Sequence, residues 1–203
     1  MICRTASDPE ASPTAIMSTI TGGNTLLAAS GAAIAGTRKP RRVIPLSLFP
    51  FFFAVLQVAE GLLWLNHRAF ISDAWKWPAV YVFLFIAYVL WPFYVPFSAW
   101  LLETGRKRKV IMLVCLAIGL VVGITNLVAL TRWPVDAWVV GHSFAYLIDM
   151  PGAFGAPYVI AVTIPFLVSS RRGLVLFGVA LAVMYGIAAI TATSGTFPSV
   201  WCF

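Results

Sequence analysis

The chain has 203 residues, of which 61% are hydrophobic and only 10% are charged, and its mean hydropathy is +0.91. Soluble domains carry roughly 25% charged residues, so this composition cannot cover a water-facing surface and indicates an integral membrane protein. The formal net charge is +7. Most of the basic residues form short runs between apolar stretches, so the membrane surface is a better partner for them than nucleic acid.

Apolar stretches long enough for membrane-spanning helices follow an amino-terminal tail, residues 1–18, and fill the domain 19–203. A helix needs about 20 apolar residues to cross the hydrocarbon core. The sequence predicts an all-α polytopic transmembrane bundle with six spans, at about 20–36, 43–66, 78–102, 110–130, 153–169 and 174–191. Pro198, which is well placed to open a helix, and the apolar Trp201-Cys202-Phe203 predict a truncated seventh span.

The distribution of Lys and Arg among the loops predicts the orientation. Ten basic residues lie in the loops 37–42, 103–109 and 171–172, and three lie in the loops on the opposite side. Cytoplasmic loops of membrane proteins carry the excess of basic residues. We therefore expect those three loops in the cytoplasm, the protein in the plasma membrane, and the amino terminus outside.

Polar side chains lie together on the second predicted span. Gln57, Glu60 and Trp64 are spaced at i, i+3 and i+7, so they share one face of the helix. Glu60 lies roughly 9 Å below the outer end of the span, at 1.5 Å per residue. An ionisable group at this depth is costly and points to a functional site. Glu60 is therefore a candidate for binding a ligand, a proton or a metal, and a structural hydrogen bond to a neighbouring helix is the alternative.

Further polar residues gather at the same outer level. Asn126 lies near the outer end of the fourth span, and the connection 131–152 carries His142, Tyr146 and Asp149. At i, i+4 and i+7 these three would share one face of a helix. Long ordered loops in compact domains are often functional. We expect a short interfacial helix over the mouth of the bundle, and an amphipathic connector with a solvated polar face is the alternative.

Motifs for metals and cofactors are sparse. The chain has two His and three Cys, with no His pair at helical spacing and no C-x-x-C, so neither a metal nor a cofactor is expected. A mixed metal site from Glu60, His142 and Cys202 is a weaker alternative, and a disulfide between Cys3 and Cys202 is a further one. The sequence contains no P-loop, G-x-S-x-G or dinucleotide fingerprint, so an enzyme is not the favoured class.

Three motifs together carry a resemblance to a known family. They are a Q-x-x-E-G-x-x-W second span, a proline-broken third span ending in Glu, and a P-S-x-W-C start to the last helix, and the matching residues are Gln57, Glu60, Gly61, Trp64, Pro92, Pro96, Glu103, Pro198, Ser199, Trp201 and Cys202. Over about residues 18–203, the chain resembles an uncharacterised bacterial family of multi-spanning membrane proteins. The resemblance implies about seven helices and no established activity. The chain departs from the pattern at both ends.

Three function classes are compatible with these residues. The favoured class is a small-molecule binding or sensing protein with an outward-facing polar cavity around Glu60, to which we assign the ligand- or proton-binding residues Gln57, Glu60, Trp64, Asn126, His142, Tyr146 and Asp149. A proton-coupled small-molecule transporter is the alternative, because broken helices are typical of transporter sites. A metal-dependent membrane-embedded hydrolase is the third class. The expected partners are the lipid bilayer and an unknown small molecule.

Overall fold

The computed structural model describes residues 41–140, 143–148 and 155–191. The chain is mostly helical over these ranges. Its helices and strands in chain order are α1 (Ile44–Ser47), α2 (Phe49–His67), α3 (Lys76–Leu84), a π-helical segment (Phe85–Leu90), α4 (Trp91–Leu102), α5 (Arg106–Arg132), β1 (Val135–Val140), β2 (Ser143–Ile148), α6 (Gly155–Leu167) and α7 (Arg172–Thr191). Short 3₁₀ turns precede α1 and α3.

Three helical stretches are long and apolar enough to cross a membrane: Ile44–His67, Asp73–Leu102 and Arg106–Arg132. They lie at the positions of the second, third and fourth predicted spans, so these three helices are confirmed. Successive helices run in opposite directions, so their termini define two ends of the bundle. The hairpin end is the end of the bundle at which α2 and α5 finish. The basic end is the opposite end, at which α4 finishes and α5 begins.

The remaining predicted spans are less completely described. Helix α6 lies within the predicted fifth span but has 13 residues, fewer than a crossing needs. Helix α7 lies at the position of the predicted sixth span, but its apolar part over Arg172–Ile187 is also shorter than a crossing needs. The predicted tail at 1–18, the predicted first span at 20–36 and the predicted seventh span lie outside the described residues.

Two apolar clusters form the described core, one toward each end. The cluster nearer the hairpin end combines α2, α3 and the strands, and includes Leu63, Phe83 and Phe144. The cluster nearer the basic end combines α2, α4 and α6 around aromatic rings, with the Phe49 ring 5.0 Å from that of Trp91. Much of α5 faces outward instead, with exposed Val and Ile side chains. Lipid-facing side chains account for this exposure in a membrane-spanning helix.

The third span is broken in its middle. In the π-helical segment the Trp91 N–H donates to the carbonyl of Ile86, five residues back. Pro92 has no N–H to offer. The carbonyls of Ala87 and Tyr88 therefore lose the donors that an α-helix would give them. Such groups cost several kcal/mol in hydrocarbon unless another donor is found.

Side chains from two neighbouring helices supply those donors. The Asn126 amide of α5 donates to the carbonyl of Tyr88 at 2.9 Å. The Tyr158 hydroxyl of α6 donates to the carbonyl of Ala87 at 2.7 Å. The break in the third span is therefore repaired from α5 on one side and α6 on the other.

Glycines bring α5 close enough for this repair. A Cβ on Gly119 would overlap the backbone carbonyl of Pro92, and one on Gly123 would lie 2.7 Å from the carbonyl oxygen of Val89. The Pro92 carbonyl has itself lost its i+4 donor, because residue 96 is also a proline. The G-x-x-x-G spacing of α5 thus serves a contact within the chain, as small residues do in membrane bundles.

The connection between α5 and α6 corrects the sequence-based prediction. Residues 135–140 and 143–148 form an antiparallel β-hairpin, with Ala137 opposite Tyr146 and Val139 opposite Phe144. The predicted interfacial helix over 131–152 is therefore wrong for these residues, and the bundle is not purely α-helical. Tyr146 lies in β2, so it cannot share a helical face with His142 and Asp149, which lie outside the described residues.

The local sequence explains why strands form here. Buried positions alternate with exposed ones along β1, where Val135 and Ala137 face the core while Asp136 and Trp138 face outward. A period of two matches a strand and not a helix. The two six-residue runs contain Val and aromatic residues, which are enriched in strands, and only Gly141 and His142 separate them in the sequence.

We predict that Gly119→Ala destabilises the protein by about 1–3 kcal/mol, because the added methyl meets a backbone carbonyl that cannot turn aside. Thermal unfolding in detergent would show a lower midpoint than for the wild type. The matched control is Gly186→Ala on α7, whose added Cβ meets nothing within 4 Å. Equal midpoints for the two variants would contradict the proposed close contact.

Tyr158→Phe removes only the hydroxyl that donates to Ala87. We expect a loss of about 1 kcal/mol, the usual net value of one hydrogen bond. Tyr81→Phe is the control, because the Tyr81 ring is exposed on α3. Chemical denaturation of both variants in the same detergent measures the difference. A Tyr158→Phe protein as stable as the control would mean that the Ala87 carbonyl needs no side-chain donor.

Candidate functional site

Glu60 lies near the middle of α2 and is almost completely buried, with 2% of its surface exposed. Gln57 and Trp64 are buried as well, at 8% and 2%. Their spacing puts all three on one side of α2. Glu60 and Glu103 are the two buried acids among the described residues, and only Glu60 lies within a candidate membrane span.

The β-hairpin packs over the end of α2 just beyond Glu60. The Phe144 ring lies 4.9 Å from the Trp64 ring and meets it edge-on. The Tyr146 ring stacks on Phe83 of α3 at 4.7 Å, with the two planes 10° apart. Trp64 is four residues beyond Glu60, which corresponds to about 6 Å along the helix. The hairpin therefore closes the end of the bundle about one helical turn above the carboxyl group.

Apolar side chains lie next to Glu60 along α2. Its helix neighbours Ala59 and Leu63 belong to the same cluster as Phe144 and Tyr146. Two polar atoms in this region, Oε2 of Glu60 and the hydroxyl oxygen of Tyr146, are shielded from the surface. A few polar groups inside an aromatic and aliphatic enclosure are typical of small-molecule sites.

Asn126 belongs to a different arrangement. Its amide donates to the Tyr88 carbonyl and so supports the break in the third span. Of the seven predicted site residues, Gln57, Glu60, Trp64 and Tyr146 lie in or beside the hairpin-end cluster. His142 and Asp149 lie outside the described residues. Whether any of them binds a ligand remains a prediction.

The cavities described in the structure are apolar and lie elsewhere. One of about 40 Å³ is enclosed by aromatic and aliphatic side chains including Phe49, Trp91 and Phe166. The second is an open groove along α3 and the π-helical segment, between α2 and α5. Neither is lined by Glu60. Within the described ranges, no three His, Cys, Asp or Glu residues lie close enough together to hold a metal ion.

Glu103 is a second buried carboxyl group. The sequence placed it in a loop and in a family motif but did not indicate that it is buried. It follows α4 directly and is 2% exposed. Its Oε1 accepts the N–H groups of Thr104 and Gly105, both at 2.9 Å, and its Oε2 accepts the N–H of Ser170 at 2.8 Å. Glu103 thus ties the α4–α5 loop to the α6–α7 loop. The available signal was a single acid at the start of a run of four cations.

These hydrogen bonds decide the protonation of Glu103. Burial by itself would raise its pKa, but the N–H donors of Gly105, Ser170 and Thr104 stabilise the carboxylate and lower the pKa to about 2. The group is therefore ionised across the physiological range. Its role is structural, because both oxygens are occupied by backbone donors.

We predict that Glu103→Gln lowers stability at neutral pH by about 1–3 kcal/mol, since the amide nitrogen cannot accept the Ser170 N–H. Because the folded-state pKa is depressed, the carboxylate contributes its stability above about pH 4.5, and this contribution is lost as the pH falls toward 2. Thermal midpoints of wild type and variant should converge over that window. Asp136→Asn, at an exposed acid, is the control. A constant difference between pH 6 and pH 2.5 would contradict the assignment.

Comparison with known proteins gives a family and no activity. A family model described as a family of unknown function, DUF6629, matches residues 13–203. No curated protein and no solved structure matches the chain. The resemblance to an uncharacterised family is therefore confirmed by a match over nearly the whole sequence. The chain belongs to DUF6629, a family of unknown function.

Proposed function

We propose that this protein is a small-molecule binding or sensing protein of the membrane, with its ligand site at Glu60 beneath the β-hairpin. The observation that carries the proposal is the burial of Glu60, at 2% exposure, within a candidate membrane span. Ionisable residues at such depth are rare in membrane helices and point to a functional site. A binding role would account for its presence there.

The chemistry around Glu60 supports a compact ligand with both polar and apolar parts. Glu60, Gln57 and the Tyr146 hydroxyl offer hydrogen-bonding groups, and Trp64, Phe144 and neighbouring aliphatic side chains offer apolar surface. This mixture orients a small molecule through its polar groups while burying the rest.

Access to Glu60 would require the hairpin to move. An isolated two-stranded hairpin is marginally stable at best. The described hairpin relies on its inner face, where Phe144 and Tyr146 contact Trp64 and Phe83. Elements held by few contacts open at lower free energy than the core. We therefore assign the hairpin the role of a lid on the outer side of the membrane.

A proton-coupled transporter is the second candidate, favoured by the same buried acid, which could take up and release a proton. The break in the third span supports a transporter only weakly, because the carbonyls of Ala87 and Tyr88 already accept hydrogen bonds from Tyr158 and Asn126. A metal-dependent hydrolase would draw on His142 and Cys202, which lie outside the described residues.

The proposed membrane topology follows from the predicted spans and the charges of the loops. We infer six spans and a seventh helix, with the basic end in the cytoplasm of a plasma-membrane protein and the amino terminus outside. The excess of Lys and Arg at the basic end supports this orientation.

A water-soluble carbodiimide with an amine nucleophile tests the Glu60 site in membranes. We expect slow modification of Glu60 in the wild type, and at least severalfold faster modification in Tyr146→Ala, which removes the ring stacked on Phe83. Leu147→Ala is the matched control, because Leu147 lies on the exposed face of β2. Peptide mass spectrometry measures the modified fraction.

The same samples separate the outcomes. Glu103, ionised and occupied by backbone donors, serves as an internal standard that should stay unmodified. A Glu60 that remains unmodified in every folded variant would indicate a sealed structural carboxyl and overturn the proposal. Proton flux into liposomes that is lost in Glu60→Gln would favour the transporter instead.

A further inference from the structure

The basic end of the bundle carries a dense set of cations from three segments that are far apart in sequence. Its described exposed cations are Arg42, Arg106, Lys107, Arg108, Arg171 and Arg172. The acid described at this end is Glu103, and it is buried. The surface presented toward the membrane boundary is therefore strongly positive.

Glu103 holds two of these segments side by side. Its Oε1 accepts from Gly105, immediately before the run Arg106–Lys109, and its Oε2 accepts from Ser170, immediately before Arg171. Both basic runs therefore begin one residue after a backbone donor to the same carboxylate. The side chains of Arg and Lys are long enough for cations of the two runs to reach a common anion.

The Glu103 carboxylate does not neutralise these cations. Its two oxygens accept three backbone N–H groups, and no ion pair involves the six exposed cations within the described part of the chain. Like charges held together in this way repel one another, and the repulsion is relieved when an anion binds between them.

A tryptophan marks the level of the membrane boundary near this cluster. The Nζ of Lys109 lies 5.4 Å from the centre of the ring of Trp100, which is two residues before the end of α4. Tryptophan is enriched at the headgroup level of bilayers. The basic runs therefore lie where the phosphates of lipid headgroups are found.

We propose that the basic end binds the phosphate of an anionic phospholipid headgroup between Arg106–Lys109 and Arg171–Arg172. Guanidinium groups match phosphate oxygens in a bidentate geometry, and two runs can hold one phosphate from two sides. This phosphate site lies at the opposite end of the bundle from Glu60, so the proposal does not depend on the proposed ligand site.

The test uses the full chain in nanodiscs of phosphatidylcholine, with or without a minor fraction of phosphatidylglycerol. We expect phosphatidylglycerol to raise the thermal midpoint of the wild type and to be retained in native mass spectra. Arg171→Gln with Arg172→Gln should lose the shift and retain phosphatidylglycerol roughly tenfold less, because each basic residue near an anionic surface contributes substantially to binding. Lys107→Gln with Arg108→Gln should behave in the same way.

The matched control removes two cations from the opposite end, with Lys76→Gln and Arg132→Gln, and should keep the effect of phosphatidylglycerol. An equal loss in the control and in the basic-end variants would indicate diffuse attraction and overturn the proposal. So would a wild-type shift of the same size with inorganic phosphate in phosphatidylcholine alone, which would identify a site for free phosphate.

Discussion

The fold depends on the need to pair backbone carbonyls inside a membrane. In a membrane, water cannot reach the carbonyls of Ala87 and Tyr88, which the π-helical turn and Pro92 leave without helical donors, so neighbouring helices have to supply them. Asn126 and Tyr158 do so, and Gly119 and Gly123 let α5 approach closely enough for Asn126 to reach. The break in the third span therefore fixes the positions of α5 and α6 relative to it. These three elements form a frame that cannot shift in part without exposing a polar group.

The two ends of this frame are held by different forces. At the basic end, one ionised carboxylate joins two loops through three hydrogen bonds. At the hairpin end, aromatic rings of β2 rest on Trp64 and Phe83. Ring contacts are less directional than charge-assisted hydrogen bonds, so they tolerate rearrangement better. Glu60 lies beside the more adaptable end, which suits the proposed binding of a ligand there.

The sequence predicted the long helices and the shared face of Gln57, Glu60 and Trp64, because apolar length and helical period are local properties. It located the break at Pro92 but not the donors that repair it, since Asn126 and Tyr158 are 38 and 71 residues from the carbonyls they serve. The role of Glu103 depends on Ser170, 67 residues away. The sequence did not predict the hairpin, because the alternation of polar and apolar residues along its strands is weak. Exposed positions such as Trp138 are also apolar.

The pairing of β1 with β2 limits how the proposed lid can move. Sliding β2 by a single residue would turn Tyr146 away from the core. Sliding β1 instead would turn Ala137 outward and bring Asp136 toward the core. That exchange would bury a charge among aromatic rings, so a ratchet-like movement between the strands is disfavoured. The two strands should instead move together as one unit, exposing the rings of Phe144 and Tyr146 at the same time.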